Sequence, residues 1–294
     1  MMSHQEVINM LEKTGDYRVL RRLKDPTQYH QPDGTNTKLA ILLDLETTGL
    51  DPEKDEIIEI AIVPFTYSND GRIFSIYEAF NELQEPSAEI PALITQITGI
   101  TNEMVLGHTM SAEKIMEVVE PAALIIAHNA AFDRKFAEKA FPIFSTKAWA
   151  CSMADVPWQE EQFESLKLEY LAMRNGFFFD GHRATADCHA AIELLAQTLP
   201  NSGILALTAL LQNARQPTCR VWAEGSSFDF KDILKARGYR WNDGNDGQPR
   251  SWYRDVSEGI LDEELAYLQK EIYQREVDVL VVKITAFDRF SDRV

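Results

Sequence analysis

Cysteine is scarce in this chain: 294 residues hold three, Cys151, Cys188 and Cys219, odd in number and far apart. That pattern argues against a disulfide framework or a thiolate metal site and suits a reducing compartment. Long apolar runs are missing as well. The longest, such as PAALIIA and VDVLVVKI, are of strand length and too short to span a bilayer. The opening residues, MMSHQEVINMLEKTGD, have no basic stretch leading into an apolar core, so no secretory leader is expected. A cytoplasmic location without membrane contact follows as the expectation. Neither a low-complexity tract nor an internal repeat is visible.

Basic charge is also in short supply, with 29 Lys and Arg against 46 Asp and Glu, a net charge of −17. Phosphate binding is normally driven by Lys and Arg, so this balance excludes a strong generic binder of duplex DNA. The deficit is local. Residues 1–37 carry five basic and five acidic groups and residues 215–294 carry 13 and 15, which leaves 11 basic against 26 acidic between them. Such a middle section grips a nucleic-acid backbone weakly and suits short or single-stranded ends.

The length allows one large domain or two ordinary ones. Residues 1–37 read as a helix, QEVINMLEKTG, a basic turn, YRVLRRLK, and a linker rich in Pro, Gly and Asn. An α/β pattern then runs over 38–200. KLAILLDLE is a nearly continuous apolar run ending in acids, as a buried central strand requires. EIIEIAIVPFTY and GRIFSIYEAFN flank the turn signal SNDG and read as an antiparallel hairpin. SAEKIMEVVE reads as a helix capped by Ser111. AALIIA reads as a short buried strand, with helices at AAFDRKFAEKAF, SLKLEYLAMRNG and ATADCHAAIELLAQTL. Three strands followed by alternating helices and strands imply an α/β fold, a mixed sheet covered by helices. A connecting helix over 201–214 leads to a small α+β unit at 215–294.

Asp44 and Glu46 stand two apart near the end of the first strand. Strand side chains alternate faces, so both carboxylates point to one side, at the carboxyl end where open α/β sheets place ligands. Asp133 falls in the first turn of the helix after LIIA; an acid there also serves as a partner for the helix dipole. His128 and Asn129 occupy the turn before it, where Asn129 can act as N-cap. Phe132 and Phe136, four apart, form a stripe that suits the core. His182 and Asp187 are five apart, about 140° on a helix, so they do not share a helical face. The preceding FDGH puts His182 on a loop and Asp187 in the helix. His189 faces another side.

Carboxylates are the ligands that Mg²⁺ or Mn²⁺ prefers, and a histidine beside them is the usual general base near neutral pH. The expectation is phosphodiester hydrolysis with two divalent metal ions, about 3.5–4 Å apart. Asp44, Glu46, Asp133 and Asp187 would be the ligands and His182 would take the proton of the attacking water.

DLETTGL, HNAAFD and the His182–Asp187 spacing resemble the three motifs of the DEDDh 3′–5′ exonuclease family, of the type found in proofreading epsilon subunits of bacterial DNA polymerase III. EIPALITQITGIT resembles that family's segment between its first two motifs. The resemblance covers roughly residues 38–200. It implies a ribonuclease-H-like fold with a five-stranded mixed sheet, two metal ions, and release of nucleoside 5′-monophosphates from a 3′ end. It carries Asp44, Glu46, Asp133 and Asp187 over as ligands and His182 as base. It further implies that Thr47, Thr48 and Leu50 contact or wedge the terminal nucleotide and that His128, Asn129 and Phe132 line its site. Single-stranded or frayed DNA is the expected substrate, with a polymerase or repair complex as protein partner. An RNA 3′-end trimming activity and a non-catalytic adaptor role stay open, since the motifs do not separate DNA from RNA.

The last eighty residues lie outside that resemblance. Lys231, Lys235, Arg237, Arg240, Arg250 and Arg254 alternate with Tyr239, Trp241, Trp252 and Tyr253. Such interleaving suits base stacking and phosphate contact, and equally a small domain whose aromatics form its core while its cations are solvated.

Overall fold

The computed structural model describes residues 2–24 and 26–294. α1 (His4–Lys13) starts on a reciprocal cap in which the Ser3 side chain accepts from the Glu6 N–H and the Glu6 carboxylate from the Ser3 N–H. The segment read as a basic turn contains a short strand, β1 (Arg21–Arg22). β2 (Thr37–Thr47) is the spine of the sheet. It pairs antiparallel with β3 (Ile57–Ser68) and parallel with a later strand, so Ala40–Leu43 are buried on both faces. That double burial is why the run reads as continuously apolar.

GRIFSIYEAFN, expected as one strand, is split into β4 (Ile73–Ile76) and β5 (Phe80–Leu83), both paired with β3. The cause is Pro64 on β3. Its carbonyl accepts from the Tyr77 N–H at 2.9 Å, so its missing N–H faces the same neighbour, and the ladder opens there. α2 (Ala92–Thr98) ends on Gly99 in the left-handed region at φ 72°, the conformation that closes many helices. α3 (Asn102–Val105) follows, and then α4 (Ala112–Val119), where the Ser111 side chain caps the helix by accepting from the Lys114 N–H.

β6 (Leu124–Ala127), α5 (Ala130–Ala140) and β7 (Trp149–Cys151) extend the sheet on the parallel side. α6 (Leu168–Arg174) leads to β8 (Phe177–Phe178), which pairs with β1, and α7 (Ala184–Ala196) lies across β2 and β3. The Cys188 thiol on α7 stands 3.6 Å from the Leu42 carbonyl, which measures how closely the helix sits on the sheet. Among the described residues the strand order is β4-β3-β2-β6-β7 with β5 also on β3. The mixed sheet is therefore five positions wide, its antiparallel edge shared by two short strands. β1, β7 and β8 escaped the sequence reading because two or three residues carry no periodicity.

The chain forms two compact units, Met1–Leu211 and Gln212–Val294, with α8 (Ala206–Arg215) running across the boundary. The second unit is a sheet of order β10-β11-β9-β12, built from β9 (Thr218–Ala223), β10 (Arg240–Trp241), β11 (Trp252–Ser257) and β12 (Leu280–Ile284). α9 (Lys231–Ala236) and α10 (Leu261–Tyr267) belong to it, and Val221, Leu234, Tyr239, Val256, Leu268 and Ile272 form its core. Three of its cations, Arg220, Arg237 and Arg254, are largely buried against acids, while Arg240 pairs from an exposed position. Arg237 and Arg254 pair with the buried Glu264, while Arg220 and Arg240 pair with Asp255.

Candidate active site

β2 ends at a bulge between Glu46 and Thr47, where its register against β3 shifts. The bulge turns the chain into the TTGL loop. The Thr47 hydroxyl bonds the Gly49 carbonyl at 2.5 Å, and the Thr48 N–H reaches the Glu56 carbonyl at 2.9 Å. A Cβ at Gly49 would lie 2.5 Å from the Asp55 carboxylate and would displace the side chain that accepts from the Thr48 hydroxyl and the Asp51 N–H. Leu50, at the loop tip, is 83% exposed.

Asp44, Glu46 and Asp187 each place a carboxylate oxygen within 4.8 Å of the others. The first two come from β2 and project to one face, as the strand alternation predicts. Asp187 comes from the first turns of α7, where its carboxylate accepts from the Arg183 N–H at 3.1 Å. Asp133, on α5, is buried but lies outside that 4.8 Å group. It is still the charge that presses hardest on Asp44.

The electrostatic consequence is a set of carboxyls held against ionisation. Burial, then the charges of Asp133, Asp187, Glu46 and Glu59, pushes Asp44 well above the usual carboxylate range. Burial raises Asp133 to about 8 and Glu46 to about 7, the latter helped by Asp187 and Glu59 and opposed by Arg183. Asp187 rises to about 6, again chiefly by burial, with the Arg183 N–H and the His182 charge opposing. Clustered acids that cannot all ionise alone, offering oxygen donors only, fit a hard divalent cation.

His182 lies on the loop before α7 with φ 61°, a left-handed conformation for a residue with a side chain. It is half exposed, and its Nε2 stands 3.4 Å from Glu169. His128 has both ring nitrogens engaged, Nδ1 with the Ser152 hydroxyl at 2.9 Å and Nε2 with the Leu166 carbonyl at 2.8 Å. Its ring braces the turn instead of presenting a free nitrogen. Asn129 occupies the N-cap position of α5 but makes no side-chain cap hydrogen bond, contrary to the capping expected of it. Its exposed amide is left facing solvent. Phe132 is half-buried against Phe136, ring centroids 4.9 Å apart.

Glu59 and Arg183 were missed by sequence reasoning. Glu59 is 1% exposed on β3 and stands directly opposite Glu46 in the ladder. A lone acid inside the apolar run IIEIAIV was the available signal.

The exonuclease family model RNase_T matches residues 41–195, and the chain belongs to that family. Among its relatives, DNA polymerase III PolC-type of Thermotoga petrophila is 35% identical over 130 residues, 44% of this chain and 8% of the relative. DNA polymerase III subunit epsilon of Aquifex aeolicus is 32% identical over 174 residues, 57% of this chain and 81% of the relative. The match thus spans only about a tenth of the large PolC-type relatives, at 8%, 11% and 10% of their lengths. Escherichia coli exonuclease I in complex with a dA16 oligonucleotide shares the fold, with a TM-score of 0.52 and 16% identity over 74% of this chain and 63% of that one.

Proposed function

We propose that the chain is a metal-dependent 3′–5′ exonuclease that hydrolyses the terminal phosphodiester of single-stranded or frayed DNA and releases nucleoside 5′-monophosphates. The observation that carries this reading is the convergence of Asp44, Glu46 and Asp187 within 4.8 Å, beside a histidine on an exposed loop. These three and Asp133 would hold two divalent ions. Bound there, the ions supply Lewis-acid stabilisation of charge on the phosphate.

The protein groups do the rest. His182, half exposed and next to Asp187, takes the proton of the attacking water. The exposed Leu50 meets the terminal nucleotide from a loop that the Thr47 and Thr48 hydroxyls hold in shape through Gly49, Asp55 and Glu56, and Asn129 and Phe132 line its other side. His128 shapes that wall through its bonds to Ser152 and Leu166. The exonuclease domain occupies 38–200, and 215–294 forms an accessory domain. The epsilon and PolC-type relatives are polymerase III proteins, which supports a polymerase complex as the setting. Among the described residues no helix is long and apolar enough to cross a membrane.

The test is digestion of 5′-labelled single-stranded DNA and matched RNA with Mg²⁺, with Mn²⁺ and with chelator. A metal-dependent ladder shortening from the 3′ end is expected, faster on DNA. Faster shortening of RNA would reassign the substrate, and a folded protein that shortens neither would point to the adaptor reading.

A further inference from the structure

The site contains a fifth carboxylate that the reaction outlined above does not use. Glu59 is buried on β3 across the ladder from Glu46, where two acids repel one another in a poorly solvated place. An apolar side chain would suit IIEIAIV better if only the strand mattered. What Glu59 gains in this position is contact with the start of α7. Its Oε1 lies 3.4 Å from Arg183 Nη2, and its Oε2 accepts from the Ala184 N–H at 3.3 Å. The Asn81 amide donates to Glu59 at 2.9 Å and to the Thr185 hydroxyl at 3.2 Å. Three consecutive residues, 183–185, are thereby tied to β3 and β5.

Those three residues directly follow His182. A non-glycine residue at φ 61° costs on the order of 1 kcal/mol and persists only where its surroundings enforce it. On the side-chain side, Glu169 meets the imidazole at 3.4 Å. On the backbone side, Asp187 holds the Arg183 N–H and Glu59 holds the next one, that of Ala184, as well as the Arg183 side chain. We infer that Glu59 is a positioning residue for the reaction: through Arg183 and the Ala184 N–H it fixes the loop that presents His182, without being a metal ligand. The inference rests on His182 being the base.

The experiment compares the full-length chain with Glu59→Gln, which keeps shape but removes charge, and with Arg183→Met, which breaks the same link from a half-exposed residue. The kcat and KM on a 5′-labelled single-stranded oligonucleotide, and Mn²⁺ binding by calorimetry, are read for each. Both variants should lose about 10–100-fold in kcat, the scale of a misplaced catalytic group, with KM and Mn²⁺ affinity within about twofold. In a His182→Ala background either substitution should cost little more, because the loop then has no base to present. An undiminished kcat in both variants, or an equal loss in the His182→Ala background, would overturn the inference. A tenfold drop in Mn²⁺ affinity for Glu59→Gln would overturn it in favour of a ligand role. Absence of turnover by the unsubstituted chain is a different result, since it sinks the exonuclease reading and this inference with it.

Discussion

His182 Nε2 stands 3.4 Å from Glu169, with both side chains half exposed, so the imidazole is held on an open loop rather than packed into the protein. A base in that position can reach a water and return its proton to solvent. His182→Ala should therefore lose about 10²–10⁴-fold in kcat, the usual contribution of a general base, while Mn²⁺ affinity is retained because the carboxylates are untouched. Single-turnover digestion and calorimetry on the same preparation check it. Full activity in the variant would move the base elsewhere.

Asp44 sits among four other acids, and burial together with their charges raises its carboxyl well above the usual range. Removing it relieves repulsion in the metal-free protein. Asp44→Ala should then abolish hydrolysis, yet melt no lower than the unsubstituted chain when both are metal-free. Adding Mg²⁺ should raise the melting temperature of the unsubstituted chain and leave that of the variant nearly unchanged. A metal-free variant that melts lower would count against the metal-site role.

The same carboxyls set a pH dependence whose sign follows from their direction of shift. Asp187, Glu46 and Asp133 titrate in the folded chain at about 6, 7 and 8, above their ordinary values, so the folded state holds protons that the unfolded state releases. Their contribution to stability is complete below pH 4 and is lost as pH rises through 6 to 8. In chelator, the melting temperature should fall over that window. Saturating Mg²⁺ should flatten the slope, because bound cations favour the ionised carboxylates. A chelated protein whose stability rises from pH 6 to 8 would contradict the clustered arrangement.

What was legible in the sequence divides along physical lines. β2, β6, α5 and α7 were readable because burial imposes a period or an unbroken apolar run on enough residues to be seen. Asp44 and Glu46 were readable as neighbours because a strand fixes where residues two apart point. The meeting of Asp187 with them had no such geometric basis, since it depends on α7 crossing the sheet, a relation 141 positions apart in sequence for which ligand chemistry and the family resemblance were the only guides. The split at Tyr77 was hidden because Pro64, its cause, lies on a different strand. Asn129 looked like a cap because its type favours that role, yet the side chain does not reach the helix N–H groups. Glu59 was passed over as an acid on an apolar strand, although its partners Arg183 and Asn81 are what make burial of that charge tolerable.

The second unit provides a test of where its cations belong. The buried Glu264 accepts from Arg237 Nε at 3.0 Å, Arg254 Nη1 at 2.7 Å and the Tyr239 hydroxyl at 2.8 Å. The Arg237 guanidinium also lies over the Tyr267 ring, 3.6 Å from its centroid. Residues that in sequence suit a nucleic-acid surface are thus joined around one internal carboxylate. Glu264→Ala leaves two part-buried guanidiniums and a buried hydroxyl without their common acceptor, at a cost of about 3 kcal/mol, the low end for breaking a buried ion pair since both arginines keep some solvent. Hydrogen exchange in β9 and β11 should speed accordingly, by about a hundredfold where exchange follows opening of the unit. If Arg237 and Arg254 instead serve mainly to contact phosphate, Glu264→Ala would leave exchange unchanged and tighten oligonucleotide binding by unmasking both cations. The internal arrangement predicts the opposite pair of results, faster exchange with no gain in binding.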